Sequence, residues 1–533
     1  VTEQLVVAPV LVALATAVLC LTARRSFRVQ RVVSVVGIVA YAGVVAALVS
    51  RVLEGGGVAY NLGSWPAPAA IVFVADALSA FMLSLAAVLA VPALLFSVLY
   101  VDEFGEKLTF HPLFHFMLAG VSGAFLTGDI FNLFVWFEVM LMASYVLVVF
   151  YGGSSHTRAG LNYLVLNLLA SAVMLLAIGG IYATTGTLNM ADIAMRVANP
   201  AEFGVSLAPV LGLSMLLFVV FAVKAGVVPF QWWVPAAYAA APAPVAAMLA
   251  GVVKKVGIYA LIRLYFTVFA AAQFDALAGL PWGDGSALAY FAPVVLVMAA
   301  LSILFGGLSA LGADRVEGLL AYSSIGQVGF IVLPLSVAAF APADATAVRR
   351  LGIVAALVYA LNHTLSKGLL FLVVGTIRDA FGTTRFHDLD GIARNQPVVA
   401  GAFLIGGLGL VGLPPLTGFF GKLLVFQSAV VAESWLALGV ALGGALFTIA
   451  YVSRAWNRGF WGVQSPAVEG ATADRRQVAI LVAVASAVVL LGVGFQPVYE
   501  FAGHAADAAL DRAQYVDTVL PDGGALETEG GGH

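Results

Sequence analysis

The sequence has 533 residues, 62% of them hydrophobic and 10% charged, with a formal net charge of −3 and a mean hydropathy of +1.03. Such a composition indicates a polytopic membrane protein with no reason to bind nucleic acid. The single cysteine, Cys20, excludes a disulfide framework, an iron–sulfur ligand set or a structural zinc site within this chain alone. No phosphate-cradling glycine loop follows a strand pattern, so no cofactor or metal is expected and redox or nucleotide chemistry would reside on a partner.

Apolar runs measured against a span of about twenty residues predict an all-α protein of fourteen transmembrane helices. They lie near 5–22, 32–50, 70–99, 112–128, 130–151, 161–184, 206–238, 243–266, 288–311, 318–340, 351–377, 398–430, 435–456 and 477–498. The first run follows Glu3 without a basic residue and precedes Arg24, Arg25, Arg28 and Arg31. That pattern reads as a first transmembrane helix with its N-terminus outside, not as a signal peptide. Assigning loops alternately, that arginine-rich side collects fourteen basic residues and the other side six (Arg51, Arg196, Arg263, Arg349, Arg350 and Arg512). The excess marks the cytoplasmic side and predicts both termini outside.

The five basic residues left over are Lys224, Lys254, Lys255, Lys367 and Lys422, all within predicted helices. A charged side chain at the centre of a spanning helix costs roughly 2.5–3.5 kcal/mol on insertion scales. Lysine can shed its proton when desolvated and arginine essentially cannot, so buried lysines suit switchable charge at membrane depth. The competing reading is that they are structural ion-pair partners or snorkel to an interface.

In chain order, Asp76 falls near an end of the third span, and Asp129 is expected to cap the start of the span 130–151. That span carries one internal acid, Glu138, for which Lys224 is the natural cationic partner. Lys224 is followed by Gly226, Pro229 and Pro235, so its helix is expected to break near mid-membrane beside the ammonium group. In the span 243–266, Lys255 shares a stripe with Tyr259 and Arg263, whereas Lys254 aligns with the apolar Ile258 and Leu261 and has no assigned role. The span 351–377 places Tyr359, His363 and Lys367 at steps of four beside Asn362 and Ser366, a polar stripe along one face. Histidine titrates near neutrality, and a lysine one turn away can exchange a proton with it. The preceding span adds Tyr322, Ser323, Ser324 and Gln327. The span 398–430 breaks at Pro414 and Pro415, with Lys422 following. Two interrupted helices, each with a lysine, in corresponding halves suggest an internally repeated transporter.

The stretches FNLFVWFEVMLMASYVL, KAGVVPFQWWVPAAYAAAPAPVAAML, KKVGIYALIR, AYSSIGQVGF, NHTLSKGLLFL and GLPPLTGFFGK resemble the antiporter-like subunits shared by respiratory complex I and Mrp-type multisubunit cation/proton antiporters. Several look closest to the MrpD branch of the latter. The middle antiporter-like subunit of complex I has a glutamate where Lys422 stands, and the long C-terminal extensions of other branches contrast with the roughly thirty-five mostly polar residues expected here after the last span. The resemblance implies N-terminal helices over 1–110, two inverted five-helix repeats over 111–268 and 286–458 with broken seventh and twelfth helices, and a last helix with a polar tail over 459–533. It implies a Glu138–Lys224 ion pair in one half-channel, Lys255 linking it to His363 and Lys367, and Lys422 at the exit. The expectation is a non-enzymatic, proton-translocating subunit of a monovalent cation (Na+)/proton antiporter in the cytoplasmic cell membrane. Its partners would be the bilayer and other antiporter subunits, with sodium left to a partner interface. The alternative is a proton-pumping subunit of a complex I-type oxidoreductase or membrane hydrogenase.

Overall fold

The computed structural model describes residues 3–107, 109–274, 277, 279 and 285–521. The chain opens with α1 (Ala8–Thr22) and α2 (Phe27–Gly55), followed by an antiparallel ribbon of β1 (Val58–Asn61) and β2 (Val72–Ala75). Val58 pairs with Ala75 and Asn61 with Val72. The expected helix over 70–99 therefore starts late, as α3 (Ala77–Tyr100). Asp76 stops it: its carboxylate accepts from Ser79 N at 2.9 Å while Ser79 Oγ accepts from Asp76 N at 2.8 Å, a reciprocal cap that leaves 72–75 extended.

Next come α4 (Phe110–Leu126), α5 (Ile130–Val148), α6 (Ser154–Thr185) and a short α7 (Met190–Ala198) inside an expected loop. Asp129 caps α5 through Asn132 N at 2.7 Å, as expected. The expected seventh span is two pieces, α8 (Leu207–Ala225) and α9 (Trp233–Ala240). Gly226 ends α8 in the left-handed region at φ 68°, and Pro229 cannot donate to continue the ladder. Then α10 (Ala243–Val268), α11 (Ala287–Gly312), α12 (Val316–Phe340) and α13 (Thr346–Phe381) follow. A second interrupted pair, α14 (Pro397–Val411) and α15 (Thr417–Val431), flanks Gly412 at φ 90° and the two prolines.

After α16 (Trp435–Ala455) and α17 (Arg475–Val493), the expected polar tail is instead two further helices, α18 (Phe495–Leu510) and α19 (Arg512–Val519). Ala502, Ala505, Ala506 and Ala509 recur at helical spacing and are wholly buried, Phe501 meets Phe81 of α3 edge-on at 5.1 Å, and Asp507 pairs with Arg350 at 2.6 Å. Small residues let this amphipathic helix lie close to α3 despite its low hydropathy. Residues 522–533 of that tail lie outside the described residues.

Among the described residues, eleven helices are long and apolar enough to cross a membrane; four shorter apolar helices include both halves of the second interrupted span. The apolar windows of α10 and α13 are wholly buried, whereas those of α2, α16 and α17 are one-third buried. The helices richest in polar groups thus occupy the centre, where lipid does not reach them, and the uniformly apolar ones form the perimeter.

The second interruption depends on one close approach. A Cβ on Gly418 would overlap Gly409 O, whereas one on Gly401 meets nothing within 4 Å. Gly418→Ala is expected to destabilise the protein by about 1–3 kcal/mol through overpacking, while Gly401→Ala is neutral or stabilising by up to about 1 kcal/mol. Thermal unfolding of the two variants in detergent checks the contrast.

Candidate functional site

Lys224 occupies the last turn of α8 and is wholly buried. The break beside it is held by side chains that replace missing ladder bonds: Trp233 Nε1 donates to Val223 O at 2.9 Å, and Val228 N donates to Ser302 Oγ at 2.9 Å. The ammonium donates to Tyr163 OH at 3.3 Å. It also lies over the rings of Phe137, Tyr163 and Trp233 at 5.4, 5.6 and 5.9 Å. Aromatic faces attract a desolvated cation electrostatically, so these rings stabilise the charge where no carboxylate touches it. Among the described residues no ion pair within 4.0 Å joins Glu138 and Lys224, although Glu138 is near enough to attract the ammonium electrostatically. Glu138 accepts instead from Ser171 Oγ. It is half-buried, on a face of α5 whose neighbours Phe131, Val135, Met142 and Val146 are 37–52% exposed.

The centre is built from α10, α12 and α13. Helix α10 contains a π-helical turn over Leu249–Val253, one residue wider than an α-turn, immediately before its two lysines. Such insertions re-aim side chains and cluster at functional sites. Lys255 donates to Ala250 O at 2.7 Å and meets His363 Nδ1 at 2.5 Å. The other ring nitrogen, Nε2, is 3.2 Å from Ser324 Oγ, which also accepts from Lys254 Nζ at 3.4 Å. Lys254, unassigned from the sequence, thus joins the network from the side of the first helix break, where its Nζ would lie 3.6 Å from a Cβ on Gly226. One turn along α13, Lys367 donates to Leu320 O at 2.9 Å and Ser323 Oγ at 2.5 Å.

The second break has a corresponding construction. Asn362 Nδ2 donates to Gly409 O at 3.2 Å, and its Oδ1 accepts from Thr417 Oγ1 at 2.9 Å and Ser366 Oγ at 3.2 Å. Lys422 reaches back across the interruption to Val411 O at 3.1 Å, with Phe330 under the ammonium at 4.9 Å. In sequence, one lysine precedes its break and the other follows. In space, both ammonium groups sit at the C-terminal end of the first half-helix, the negative end of its dipole. Between this break and the centre, Tyr359 donates to Gln327 Oε1, and Gln327 Nε2 donates to Tyr451 OH at 2.7 Å and Thr448 Oγ1 at 3.2 Å.

Sequence periodicity had no means of finding Tyr163, Trp233 or Ser302 as parts of the site, because their partners are on other helices. Lys254 was visible but its π-turn was not. Among the described residues no group of three or more His, Cys, Asp or Glu side chains could hold a metal ion.

Residues 127–448 match the family described as NADH:quinone oxidoreductase/Mrp antiporter, transmembrane. The chain belongs to that family. It is 33% identical over 521 residues to a Na(+)/H(+) antiporter subunit of Alkalihalophilus pseudofirmus, covering 98% of this chain and 100% of that one. Among solved structures, a chain of the Mrp complex from Dietzia sp. DQ12-45-1b is 27% identical with a TM-score of 0.84, over 97% of this chain and 99% of that chain. A chain of the membrane-bound sulfane sulfur reductase, an archaeal respiratory membrane complex, is 26% identical with a TM-score of 0.85, over 97% and 100%. The family therefore includes both antiporter and respiratory assemblies, and this fold serves both.

A lysine whose ammonium touches aromatic faces and a hydroxyl, with Glu138 attracting it only from beyond contact, is costly to bury. Lys224→Met keeps the volume and removes the charge, and is expected to stabilise the protein by on the order of 1 kcal/mol. A fall in unfolding temperature for this variant in detergent would count against a net cost of burying the ammonium at that position.

Proposed function

We propose that this chain is the proton-carrying subunit of a multisubunit sodium/proton antiporter in the cytoplasmic membrane, a transporter component rather than an enzyme. The observation that supports this most is the contact between Lys255 and His363, which joins α10 to α13 at the wholly buried centre. Five lysines occupy the interior at 0–3% exposure, in a family whose compared relative over the full chain is named a sodium/proton antiporter subunit. The proposed units are the expected ones: 1–110, inverted repeats over 111–268 and 286–458, and 459–533.

In this reading Glu138 and Lys224 handle the proton in the first half, Lys255, His363 and Lys367 carry it through the centre, and Lys422 releases or admits it at the second break. Transfer proceeds by charge switching: a proton arriving at one basic group repels the proton on the next, so the sites titrate as a coupled set and not singly. Lys254 and Ser324 extend the central network towards the first break. Sodium is assigned to a partner interface, because Glu138 is the one carboxylate in the proposed route. Other subunits cover the apolar face around Glu138, and the lysine and arginine count puts both termini outside.

A second reading rests on the equally close fit to the respiratory complex: the same relay driven by electron transfer on partner subunits. Purification with native partners separates the two, since flavin or iron–sulfur absorbance supports the redox assembly and its absence, with sodium-dependent proton exchange, supports the antiporter.

Glu138→Ala and Lys224→Ala in the assembled complex are each expected to abolish cation-dependent proton exchange in vesicles while assembly persists; normal exchange removes the relay. Lys422→Glu is expected to change the pH profile of exchange, because it substitutes an acid for a base at the second break. A profile superimposable on that of the unaltered complex takes Lys422 off the route.

A further inference from the structure

A cavity of about 200 Å³ opens where the end of α2, the start of α3 and the helices α18 and α19 meet, lined by Asp76, His504, Asp507, Gln514 and Tyr515 among others. It lies on the side assigned as outer by the basic-residue count. Of the described groups lining it, Asp76 is the one ion-paired to a wholly buried cation. Its Oδ2 accepts from Arg263 NH2 at 2.5 Å, with side-chain exposures of 12% for the aspartate and 1% for the arginine. Arg263 is otherwise packed against Tyr515, 4.6 Å from the ring, and its Nε is 3.5 Å from Tyr259 OH. Its Nη1 has no hydrogen-bond partner among the described residues. Arg263 lies eight residues beyond Lys255 on one face of α10, about 12 Å along the axis at the α-helical rise, with Tyr259 midway.

We propose that Asp76 is the proton-binding carboxylate of an outer port, coupled through Arg263 to Lys255; this rests on the relay proposed above. A guanidinium stays protonated at any working pH, so the proton is taken by the aspartate. Water in the cavity delivers a proton to an Asp76 oxygen, breaking a hydronium O–H bond and forming a carboxyl O–H bond. The pair then loses its negative member, and Arg263 is left as an uncompensated positive charge two turns from Lys255. Return of the proton to the cavity restores the pair. The other charged or titratable groups around Asp76 are Tyr259 on α10, His504 and Asp507 on α18, Tyr515 on α19 and Asp129 at the start of α5. Asp507 lines the cavity but faces Arg350 instead of Arg263, and Asp129 does not line the cavity, which leaves Asp76 as the carboxylate facing both the cavity and the buried cation.

Two measurements on the complete complex in vesicles test the port. Asp76→Asn keeps the helix cap and an acceptor for Arg263 but cannot take a proton. It is expected to slow cation-dependent proton exchange about tenfold and to flatten the pH dependence read from the cavity's side, with assembly unchanged. Gln514→Cys, exposed at the cavity wall, is treated from that side with a membrane-impermeant cationic thiol reagent. Cys20 is wholly buried and offers no competing thiol in this chain, and the unaltered complex treated alike is the control. Modification is expected to slow exchange at least fivefold. Unchanged exchange in either arm overturns the port, and if Asp76→Asn fails to assemble the cysteine arm decides. Lys224→Ala, run in parallel, separates the two levels: loss of exchange there with normal Asp76→Asn removes the port alone, whereas normal exchange in Lys224→Ala removes the relay and the port with it.

Discussion

Keeping ammonium groups charged, or ready to be, where water does not hydrate them is the constraint on which the rest of the structure depends. Each of the five interior lysines would cost roughly 2.5–3.5 kcal/mol at a bilayer centre on insertion scales if nothing compensated it. The compensations differ from lysine to lysine. Lys224 has three aromatic faces and a phenol, Lys255 an imidazole and a carbonyl, Lys367 a carbonyl and a hydroxyl, and Lys422 a helix-end carbonyl and one ring. In the described structure none of these four has a carboxylate within salt-bridge distance. Neutral partners of this kind hold a lysine in either protonation state, whereas a fixed carboxylate would lock it as an ion pair.

The two helix interruptions follow from the same constraint. A break exposes carbonyls that must find donors, and in both halves of the chain a lysine lies at the end where those carbonyls are. One carbonyl at each break also accepts from a side chain fixed in packed surroundings: the Trp233 indole at one break, the Asn362 amide at the other. Proline and glycine supply the interruption, and the indole and amide keep it from propagating. The polar interior is thus made from backbone groups as much as from side chains, which is why it tolerates so few acids.

Much of this was legible in the sequence because membrane insertion is a one-dimensional constraint. Span lengths, the prolines after Lys224 and before Lys422, and the His363–Lys367 stripe need only residue spacing. The strand at 72–75 was lost because Val72, Phe73, Val74 and Ala75 are as apolar as the helix they precede, and the Asp76–Ser79 cap that ends them is a local signal overridden by hydropathy. The helix α18 was lost for the opposite reason: its buried face is alanine, which binds by close approach rather than by hydrophobic bulk. Lys254 was left without a role because the residues on its stripe, Ile258 and Leu261, are apolar and its hydroxyl partner, Ser324, stands on another helix. The Glu138–Lys224 pair was inferred from charge and from the family resemblance, neither of which fixes the distance or what stands around each group.

That last difference bears on how the proposed relay would be controlled. In the centre, contacts run in a chain from Lys255 through His363 and Ser324 to Lys254, so proton exchange along that chain needs no rearrangement. In the first half, Glu138 is hydrogen-bonded to Ser171 on an outward, half-exposed face, while Lys224 is enclosed by Phe137, Tyr163 and Trp233. A proton moving between them must pass this aromatic enclosure, by a side-chain swing or a transient water. Tyr163 is the member best suited to open it, because its hydroxyl already contacts both Lys224, at 3.3 Å, and Ser144 of α5, at 3.0 Å. A partner subunit pressing on the exposed stripe of α5 would act on the helix that carries Glu138, Phe137 and Ser144 together. On the proposed reading, control therefore belongs at the first break, where Glu138 and Lys224 are apart, and not at the Lys255–His363 contact, where donor and acceptor already meet.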